Sequence, residues 1–276
     1  MKMLKMFMTG ATGLVGQWLI WMMKRDHPAI DITVLSRTPE KNGHLSVDFI
    51  KGNIRTFDFP AGHFDYIIHC AVGGTDRMIE MARQNDAAML YTSSGAVYGK
   101  QAKRHELIKE TWPVNLDTDY ALMKGQGELL CMESGLDVKI ARLFAFAGGG
   151  QPLDYHYAIG NFIRDGLKGG PIALAGGETI FRSYLHYLEM AQWLLSILFH
   201  GKPRHPYNVG SEIPVSIAQL ANDVAAEFGC DVLKLPPLLN QNEWYIPSTE
   251  RARTELGLVQ HLFYPEVMRK MIAEVR

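Results

Sequence analysis

The 276-residue chain has few cysteines, almost no net charge and no long apolar run. Its three cysteines, at positions 70, 131 and 230, are widely spaced, which fits no metal-binding pattern and suggests a reducing compartment. The formal charge of -1 gives no electrostatic basis for binding nucleic acid or an anionic membrane. The first residues contain no apolar run before the glycine-rich segment, so we expect no signal peptide, and no segment reaches the length of a membrane span. We therefore expect a cytoplasmic protein with no metal site.

The sequence also lacks internal repeats, low-complexity tracts and a long linker. Apolar residues make up 47% and charged residues 21% of the chain, which is ordinary for a globular protein. We therefore expect one large domain, or one domain with a smaller lobe.

Residues 7–16 contain three glycines between an apolar strand and an apolar helix. Glycines at this spacing allow a tight turn, a close approach of the backbone to a pyrophosphate, and close packing of the helix on the strand. The N–H groups that begin the helix then face the phosphates. The residues predicted to bind a dinucleotide here are Gly10, Thr12, Gly13, Leu14, Val15 and Gly16.

The end of the second strand indicates which dinucleotide is bound. An NAD-binding unit usually has an acidic residue about 20 residues past the glycines. This chain has Ser36 and Arg37 there, and a hydroxyl followed by a guanidinium suits a 2′-phosphate. We therefore predict NADP as the preferred cofactor, with NAD as the alternative. The competing interpretation is that Arg37 is a solvated loop residue.

Two further segments are expected to line the same cofactor cleft. After the third strand, Asn53 and Ile54 present a polar and an apolar side chain that suit the amino edge and the face of an adenine. At the end of the fourth strand, Cys70, Ala71 and Val72 are expected to contact the cofactor. The preceding residue, His69, is interpreted as a packed strand residue rather than a catalytic base.

Strand-like and helix-like stretches alternate through the first half, which predicts βαβ units and a parallel sheet. We expect an α/β fold, with a Rossmann-type doubly wound parallel sheet and a smaller C-terminal α/β substrate lobe. Residues 1–150 are predicted to form the dinucleotide-binding domain, and residues 151–276 mainly the substrate-binding lobe, with segments interleaved with the first domain. The strands predicted in the first half are 4–9, 31–36, 45–50, 64–71, 88–93 and 138–144.

A serine and a tyrosine–lysine pair form the predicted catalytic set. Tyr120 and Lys124 are four residues apart, so they share one face of a helix. An ammonium beside a phenol is expected to lower the pKa of the phenol and fit it for acid–base work. Ser94, at the end of a strand, is expected to hold the substrate oxygen. Tyr-x-x-x-Lys alone is usually structural, but chance is a poor explanation when it accompanies the glycine turn.

Together with segments 181–186, 207–211 and 248–252, these motifs resemble the extended short-chain dehydrogenase/reductases. Within them, the sequence is most similar to the NAD(P)-dependent epimerase/dehydratase family that acts on nucleotide sugars. The resemblance covers nearly the whole chain. It implies that Ser94, Tyr120 and Lys124 are catalytic and that Tyr120 and Lys124 also contact the cofactor. It further implies that Asn161 and Arg182 contact the nucleotide diphosphate, whereas the alternative for Arg182 is a surface ion pair.

The chain departs from this family in two places. Dehydratase members carry Asp-Glu where this chain has Gly95-Ala96, which disfavours a 4,6-dehydratase and leaves a reductase or an epimerase. The segment 71–88 and the connection 38–45 are both short, and the family usually has a long interface helix within the first. The resemblance implies a homodimer, and the short 71–88 segment leaves its interface and the covering of the nicotinamide as open questions.

The resulting hypothesis is an NADP-preferring oxidoreductase or epimerase of nucleotide-activated hexoses that serves cell-surface polysaccharide synthesis. One alternative is a reductase of non-sugar carbonyl compounds on the same scaffold. The other is a non-catalytic regulatory protein that binds a dinucleotide.

Overall fold

The computed structural model of the chain describes residues 3–38, 47–154, 157–236 and 242–276. Strands β1 to β14 are Leu4–Thr9, Ile30–Ser36, Asp48–Lys51, Tyr66–His69, Ala88–Ser94, Val138–Leu143, Phe146–Ala147, Ile172–Ala175, Ile180–Arg182, Leu185–His186, Pro206–Val209, Val215–Ser216, Val232–Leu235 and Glu243–Trp244. Helices α1 to α8 are Leu14–Asp26, Thr75–Asn85, Asp119–Glu133, Ala158–Leu167, Tyr187–His200, Ile217–Phe228, Glu250–Leu256 and Glu266–Val275. A short 3₁₀ helix spans Gly95–Tyr98. Among the described helices, none is long and apolar enough to cross a membrane.

Seven parallel strands form the central sheet, in the order β11-β6-β5-β4-β1-β2-β3. The strand order reverses between β1 and β4, and ligands of doubly wound sheets bind at the carboxyl ends of the strands beside such a reversal. The prediction of a Rossmann-type α/β fold is therefore confirmed. Strand β11 comes from the second half of the chain, so the C-terminal half also contributes to the central sheet.

Buried residues on β1 alternate between two apolar layers. Met6 and Met8 belong to the cluster that packs α1 and α5 on one face of the sheet. Phe7 belongs to the cluster on the other face, which includes Met78 and Met81 of α2. Because neighbouring residues of a strand point to opposite faces, a strand that is apolar throughout must be covered by helices on both sides.

A separate apolar cluster holds together α4, α6 and α8 in the C-terminal half. It includes Ile163 of α4, Leu220 of α6 and Met271 of α8, all fully buried. Two small sheets lie in the same half, one pairing β8 with β13 and the other in the order β12-β9-β14. The proposed division at residue 150 stays a prediction.

The fourth strand is shorter than the predicted range 64–71. It ends at His69, and the chain then turns through Gly73 and Gly74, which have φ values of +75° and +71°. These left-handed angles favour glycine. The turn lets α2 begin as early as Thr75. Of the predicted strand 45–50 and the short connection 38–45, residues 39–46 lie outside the described residues.

Candidate active site

The glycine turn lies between the ends of β1 and β4. Gly10 has a φ of +71°, and a Cβ added to it would lie 2.5 Å from the Ala71 nitrogen. A Cβ added to Gly16 would lie 2.4 Å from Ala11 Cα. Both positions are therefore restricted to glycine by the close approach of backbone to backbone. The contact also brings Cys70 and Ala71 beside the turn, as the sequence predicts for the cofactor cleft.

Helix α1 begins with an open N-terminus at this turn. Gly13 is its N-cap residue, is exposed and provides no side-chain cap, and the first turn of the helix contains no acidic residue. The Gln17 N–H donates to Gly13 O at 3.0 Å and forms the first backbone hydrogen bond of the helix. The N–H groups of Leu14, Val15 and Gly16 come before it and have no partner within the helix. Such a helix start binds anions. The turn therefore fits the pyrophosphate of a dinucleotide.

The residues predicted for the adenosine end lie at the carboxyl ends of β2 and β3. Ser36 is buried, and its Oγ accepts a hydrogen bond from the Thr38 N–H at 3.1 Å. Arg37 is exposed. Asn53 Oδ1 accepts from the Arg55 N–H at 3.0 Å, which fixes the turn after β3.

Ile54 connects this turn to the end of β4. A Cβ added to Gly74 would lie 2.7 Å from Ile54 Cγ1, so the glycine makes room for this side chain. Val72, one of the residues predicted to contact the cofactor, is 63% exposed. The adenosine end is thus an exposed edge formed by short turns.

Ser94, Tyr120 and Lys124 come together at the carboxyl end of β5. Ser94 is buried, and its Oγ accepts from the Ala96 N–H at 3.2 Å, which caps the 3₁₀ helix. Tyr120 lies in the first turn of α3 and is 49% exposed. Lys124 is 4% exposed, and its Nζ donates to Thr92 O at 2.7 Å.

Burial shifts the pKa values of both α3 residues. Partial burial raises the pKa of Tyr120, and the nearby Ser94 hydroxyl opposes the increase. The pKa of Lys124 is lowered by burial, while Cys70 and Glu128 act in the opposite direction. The expectation that Lys124 lowers the pKa of Tyr120 is therefore wrong for this geometry. The reason is that Lys124 Nζ is bonded to a strand carbonyl and lies 6.0 Å from the centre of the Tyr120 ring.

A buried ion pair anchors α3 one turn beyond Lys124. The Glu128 carboxylate accepts from Arg142 Nη2 at 2.7 Å and from its Nε at 2.9 Å, and both side chains are 4% exposed. Arg142 Nη1 also donates to the Tyr98 hydroxyl at 2.7 Å, and that hydroxyl donates to Asn208 Oδ1 at 2.9 Å. The network joins α3 to β6, the 3₁₀ helix and β11. It therefore fixes the helix that carries Tyr120 and Lys124.

His69 links the glycine turn to α2 beneath the site. Its Nδ1 lies 2.7 Å from Thr9 Oγ1, and its Nε2 lies 3.2 Å from Thr75 Oγ1. Burial, with a smaller contribution from Lys124, lowers its pKa to about 3. The imidazole is therefore neutral at pH 7. This agrees with its interpretation as a packed strand residue.

The two residues predicted to bind substrate lie on separate elements. Arg182, at the end of β9, forms an ion pair with Glu243 at 2.9 Å, which is the alternative considered for it from the sequence. Its guanidinium also lies 5.5 Å from the centre of the Tyr245 ring. Asn161, on α4, accepts from Arg164 Nη1 through its Oδ1 at 3.2 Å. The roles of Arg182 and Asn161 in substrate binding stay predictions.

Tyr245 is a site residue that the sequence did not reveal. Its ring packs on Phe144 with 4.6 Å between ring centres, and a Cβ added to Gly95, the neighbour of Ser94, would lie 2.5 Å from its hydroxyl oxygen. It follows β14, and no spacing relates it to Ser94 or Tyr120. The only available signal was its position just before the segment 248–252 that resembles the family.

The doubly wound sheet and the open glycine turn define a dinucleotide-binding α/β protein. A sequence profile of the NAD dependent epimerase/dehydratase family matches residues 65–210, and the chain belongs to this family. The resemblance stated from the motifs is thereby confirmed.

Curated relatives match over part of their length. UDP-glucuronic acid decarboxylase 6 from Arabidopsis thaliana is 26% identical over 159 residues, covering 55% of this chain and 46% of that protein. UDP-glucuronic acid decarboxylase 1 from the same plant is 24% identical over 229 residues, covering 78% of this chain and 52% of that protein. The matches thus span about half the length of these relatives.

Solved structures share the fold over nearly the whole chain. The dTDP-glucose 4,6-dehydratase of Bacillus anthracis, in complex with NAD, superposes with a TM-score of 0.86 and 15% identity, covering 99% of this chain and 96% of that one. The UDP-glucose 4-epimerase of Thermus thermophilus, also in complex with NAD, gives a TM-score of 0.83 and 19% identity, with 98% of each chain covered. At these identities the likeness establishes the fold.

Proposed function

We propose that the chain is an NAD(P)-dependent enzyme that transfers hydride on a nucleotide-activated sugar, as an epimerase or a reductase. The observation that carries this proposal is the convergence of Ser94, Tyr120 and Lys124 at the end of β5. That end is two strands away from the glycine turn after β1 in the central sheet. The family and the relatives' names support a nucleotide sugar as the substrate.

Each residue of the set has a distinct task in this proposal. When bound, the nicotinamide supplies or accepts the hydride at the sugar carbon. The Tyr120 hydroxyl exchanges the proton at the sugar oxygen, and the Ser94 hydroxyl binds the same oxygen. Lys124, held by Thr92 O, orients the nicotinamide ribose through its remaining protons. Its ammonium therefore positions the cofactor rather than lowering the pKa of Tyr120.

The residues after Ser94 support one part of the proposal, the choice of epimerase or reductase over dehydratase. Gly95 and Ala96 offer no carboxylate, so they supply no acid or base for the elimination of water. This favours epimerase or reductase over 4,6-dehydratase. Arg182 and Asn161 remain the proposed contacts to the nucleotide diphosphate, with Arg182 exchanging part of its ion pair with Glu243 for a phosphate.

The cofactor preference rests on the edge beside β2. Arg37 is exposed where the chain leaves β2, and the Ser36 hydroxyl already accepts a hydrogen bond from the Thr38 N–H. We infer that Arg37 provides the charge for a 2′-phosphate and that NADP is preferred over NAD.

We also infer a homodimer that forms through α3. Three leucines on this helix are exposed, Leu122 by 44%, Leu129 by 55% and Leu130 by 42%. Leu122 and Leu129 are two turns apart on one side of the helix and Leu130 adjoins Leu129, and such an exposed apolar surface is typical of a partner interface. Light scattering tests this: Leu129→Glu should give a monomer, whereas Glu133→Gln at the end of the same helix should not change the mass. A monomeric wild-type chain would refute the inference.

Calorimetry and turnover assays test the proposed activity together. The chain is titrated with NADPH and with NADH, and each mixture is then assayed with a panel of UDP- and dTDP-sugars and with simple ketones. We expect binding of a dinucleotide and turnover of at least one nucleotide sugar. Turnover of ketones alone would support the non-sugar reductase, and binding without any turnover would support the regulatory protein.

A further inference from the structure

Arg55 places an exposed guanidinium over the turn that follows β4. Its backbone N–H donates to Asn53 Oδ1 at 3.0 Å, which fixes the start of the side chain. A Cβ added to Gly73 would lie 3.7 Å from Arg55 Nη2, so the guanidinium lies beside this glycine. Among the residues that the structure describes, the guanidinium has no ion-pair or hydrogen-bond partner and no ring contact. It is therefore a cation whose charge is available to a ligand.

The turn beside Arg55 adjoins the glycine turn that fits a pyrophosphate. A Cβ added to Gly10 would lie 2.5 Å from the Ala71 nitrogen, and Gly73 follows Ala71 by two residues. Gly73 has a φ of +75° and no side chain, so nothing of its own lies between the guanidinium and the end of the turn. An arginine side chain is long and flexible enough to reach from Gly73 toward the start of α1.

The glycine turn has no cationic side chain of its own. Residues 10–17 and 70–74, which meet there, contain no lysine or arginine. The start of a helix provides the equivalent of only about half an elementary charge, whereas a pyrophosphate is doubly charged. At the other end of the cleft, Lys124 Nζ is bonded to Thr92 O. Arg55 therefore adds a full positive charge where the pyrophosphate site lacks one.

We propose that Arg55 is a further cofactor-binding residue, which donates to the pyrophosphate oxygens of the bound dinucleotide. A guanidinium pairs with phosphate oxygens through several N–H groups in one plane, and Arg55 breaks no ion pair to do so. The inference rests on the proposed function, because it requires a dinucleotide in the cleft. It also separates the two exposed arginines: Arg37 faces the 2′-phosphate of NADP, and Arg55 faces the pyrophosphate that NADP and NAD share.

Calorimetry with NADPH, NADH and ADP-ribose measures the proposed contact. All three ligands carry the pyrophosphate, and only NADPH carries the 2′-phosphate. Arg55→Gln should lower the affinity for all three by about five- to tenfold. Arg37→Gln should lower the affinity for NADPH alone. Arg83→Gln, on the exposed side of α2, is the charge-matched control and should change none of them.

Phosphorus NMR of bound NADPH identifies the phosphate that Arg55 contacts, because the pyrophosphate and the 2′-phosphate give separate signals. Arg55→Gln should shift the pyrophosphate signals and leave the 2′-phosphate signal in place, and Arg37→Gln should do the reverse. Unchanged affinity for all three ligands, or a loss for NADPH alone, overturns the proposal. An equal loss without a shift of the pyrophosphate signals also overturns it, since Arg55 would then contact another part of the adenosine half.

Two further measurements keep the result decisive. The thermal unfolding midpoint of Arg55→Gln should equal that of wild type, because the side chain is exposed and the backbone hydrogen bond to Asn53 remains. Wild-type binding of dinucleotides without turnover of any nucleotide sugar would contradict the proposed function, while the variants would still decide the role of Arg55. Sugar turnover with full cofactor affinity in Arg55→Gln would contradict this inference alone, and absence of dinucleotide binding by wild type would contradict both.

Discussion

The two ends of the proposed dinucleotide cleft are built in different ways. At the catalytic end, Lys124 and Ser94 are buried and bonded to backbone groups, and Glu128 fixes the helix that carries Lys124 through a buried ion pair. At the adenosine end, Arg37 is exposed and Val72 is 63% exposed. Chemistry needs groups held in fixed positions, whereas cofactor selection needs only charge and shape at an accessible edge.

Because the two ends differ in this way, residues of the same cleft should respond differently to substitution at the catalytic end and at the adenosine end. A change at the catalytic end removes a group that acts on the reacting atoms or a buried contact that supports it, so turnover or the free energy of unfolding should fall steeply. A change at the adenosine end removes a solvated contact, so only the affinity for one cofactor should change.

The largest effect is expected at Tyr120. Tyr120→Phe removes the proton donor while keeping the ring, and the rate of hydride transfer should fall by about 1,000-fold. Dinucleotide affinity, measured by calorimetry, should stay within a few-fold of wild type. Tyr66→Phe is the matched control and should leave the rate unchanged. Hydride transfer near the wild-type rate in Tyr120→Phe would remove Tyr120 from the mechanism.

The next largest effect is expected for the buried ion pair. Glu128→Gln leaves the Arg142 guanidinium without its buried charge partner, and the free energy of unfolding should fall by about 3 kcal/mol. Urea denaturation measures this loss. Glu133→Gln, on the exposed end of the same helix, is the control and should change the free energy by less than about 0.5 kcal/mol. Equal stability of the two variants would show that the pair does not fix α3.

A smaller effect is expected where His69 joins β1, β4 and α2. Its pKa is about 3 when folded and ordinarily 6.5, so below pH 6.5 the unfolded chain binds a proton that the folded chain does not. Stability is therefore lost as the pH falls, by about 1.4 kcal/mol between pH 7.5 and 5.5 from this group. Urea denaturation at both pH values should show a loss that is smaller by this amount in His69→Asn. Identical pH dependence in both proteins would contradict the prediction.

Local patterns predicted most of the first half of the fold. The glycine turn, the Tyr120–Lys124 spacing and the apolar strand β1 each depend on residues within a few positions of one another. Such features follow from backbone sterics and from helix and strand periodicity. The same reasoning overestimated β4, because the extended apolar run does not show where Gly73 and Gly74 turn the chain.

Features that depend on distant segments could not be predicted. Tyr245 lies beside Gly95 only because β14 pairs with β9, and nothing near Gly95 in the sequence indicates that pairing. The pKa of Tyr120 was predicted in the wrong direction for a similar reason. The spacing places Lys124 on the same helix face, but burial and the carbonyl that binds the ammonium are tertiary features.

The smallest effect is expected at Arg37, on the adenosine edge. Arg37→Asp replaces the proposed partner of a 2′-phosphate with a like charge, and NADPH affinity should fall by about fivefold, or about 1 kcal/mol. NADH affinity should stay the same or rise slightly, since an acid at this position suits a free ribose. Calorimetry with both cofactors measures the change, and Arg83→Asp on the exposed side of α2 is the charge-matched control. A fivefold loss in both variants would attribute the effect to net charge, and no loss in Arg37→Asp would mean that Arg37 is a solvated loop residue. A loss confined to NADPH and to Arg37 would show that a solvated edge can select the cofactor without contributing to the stability of the fold.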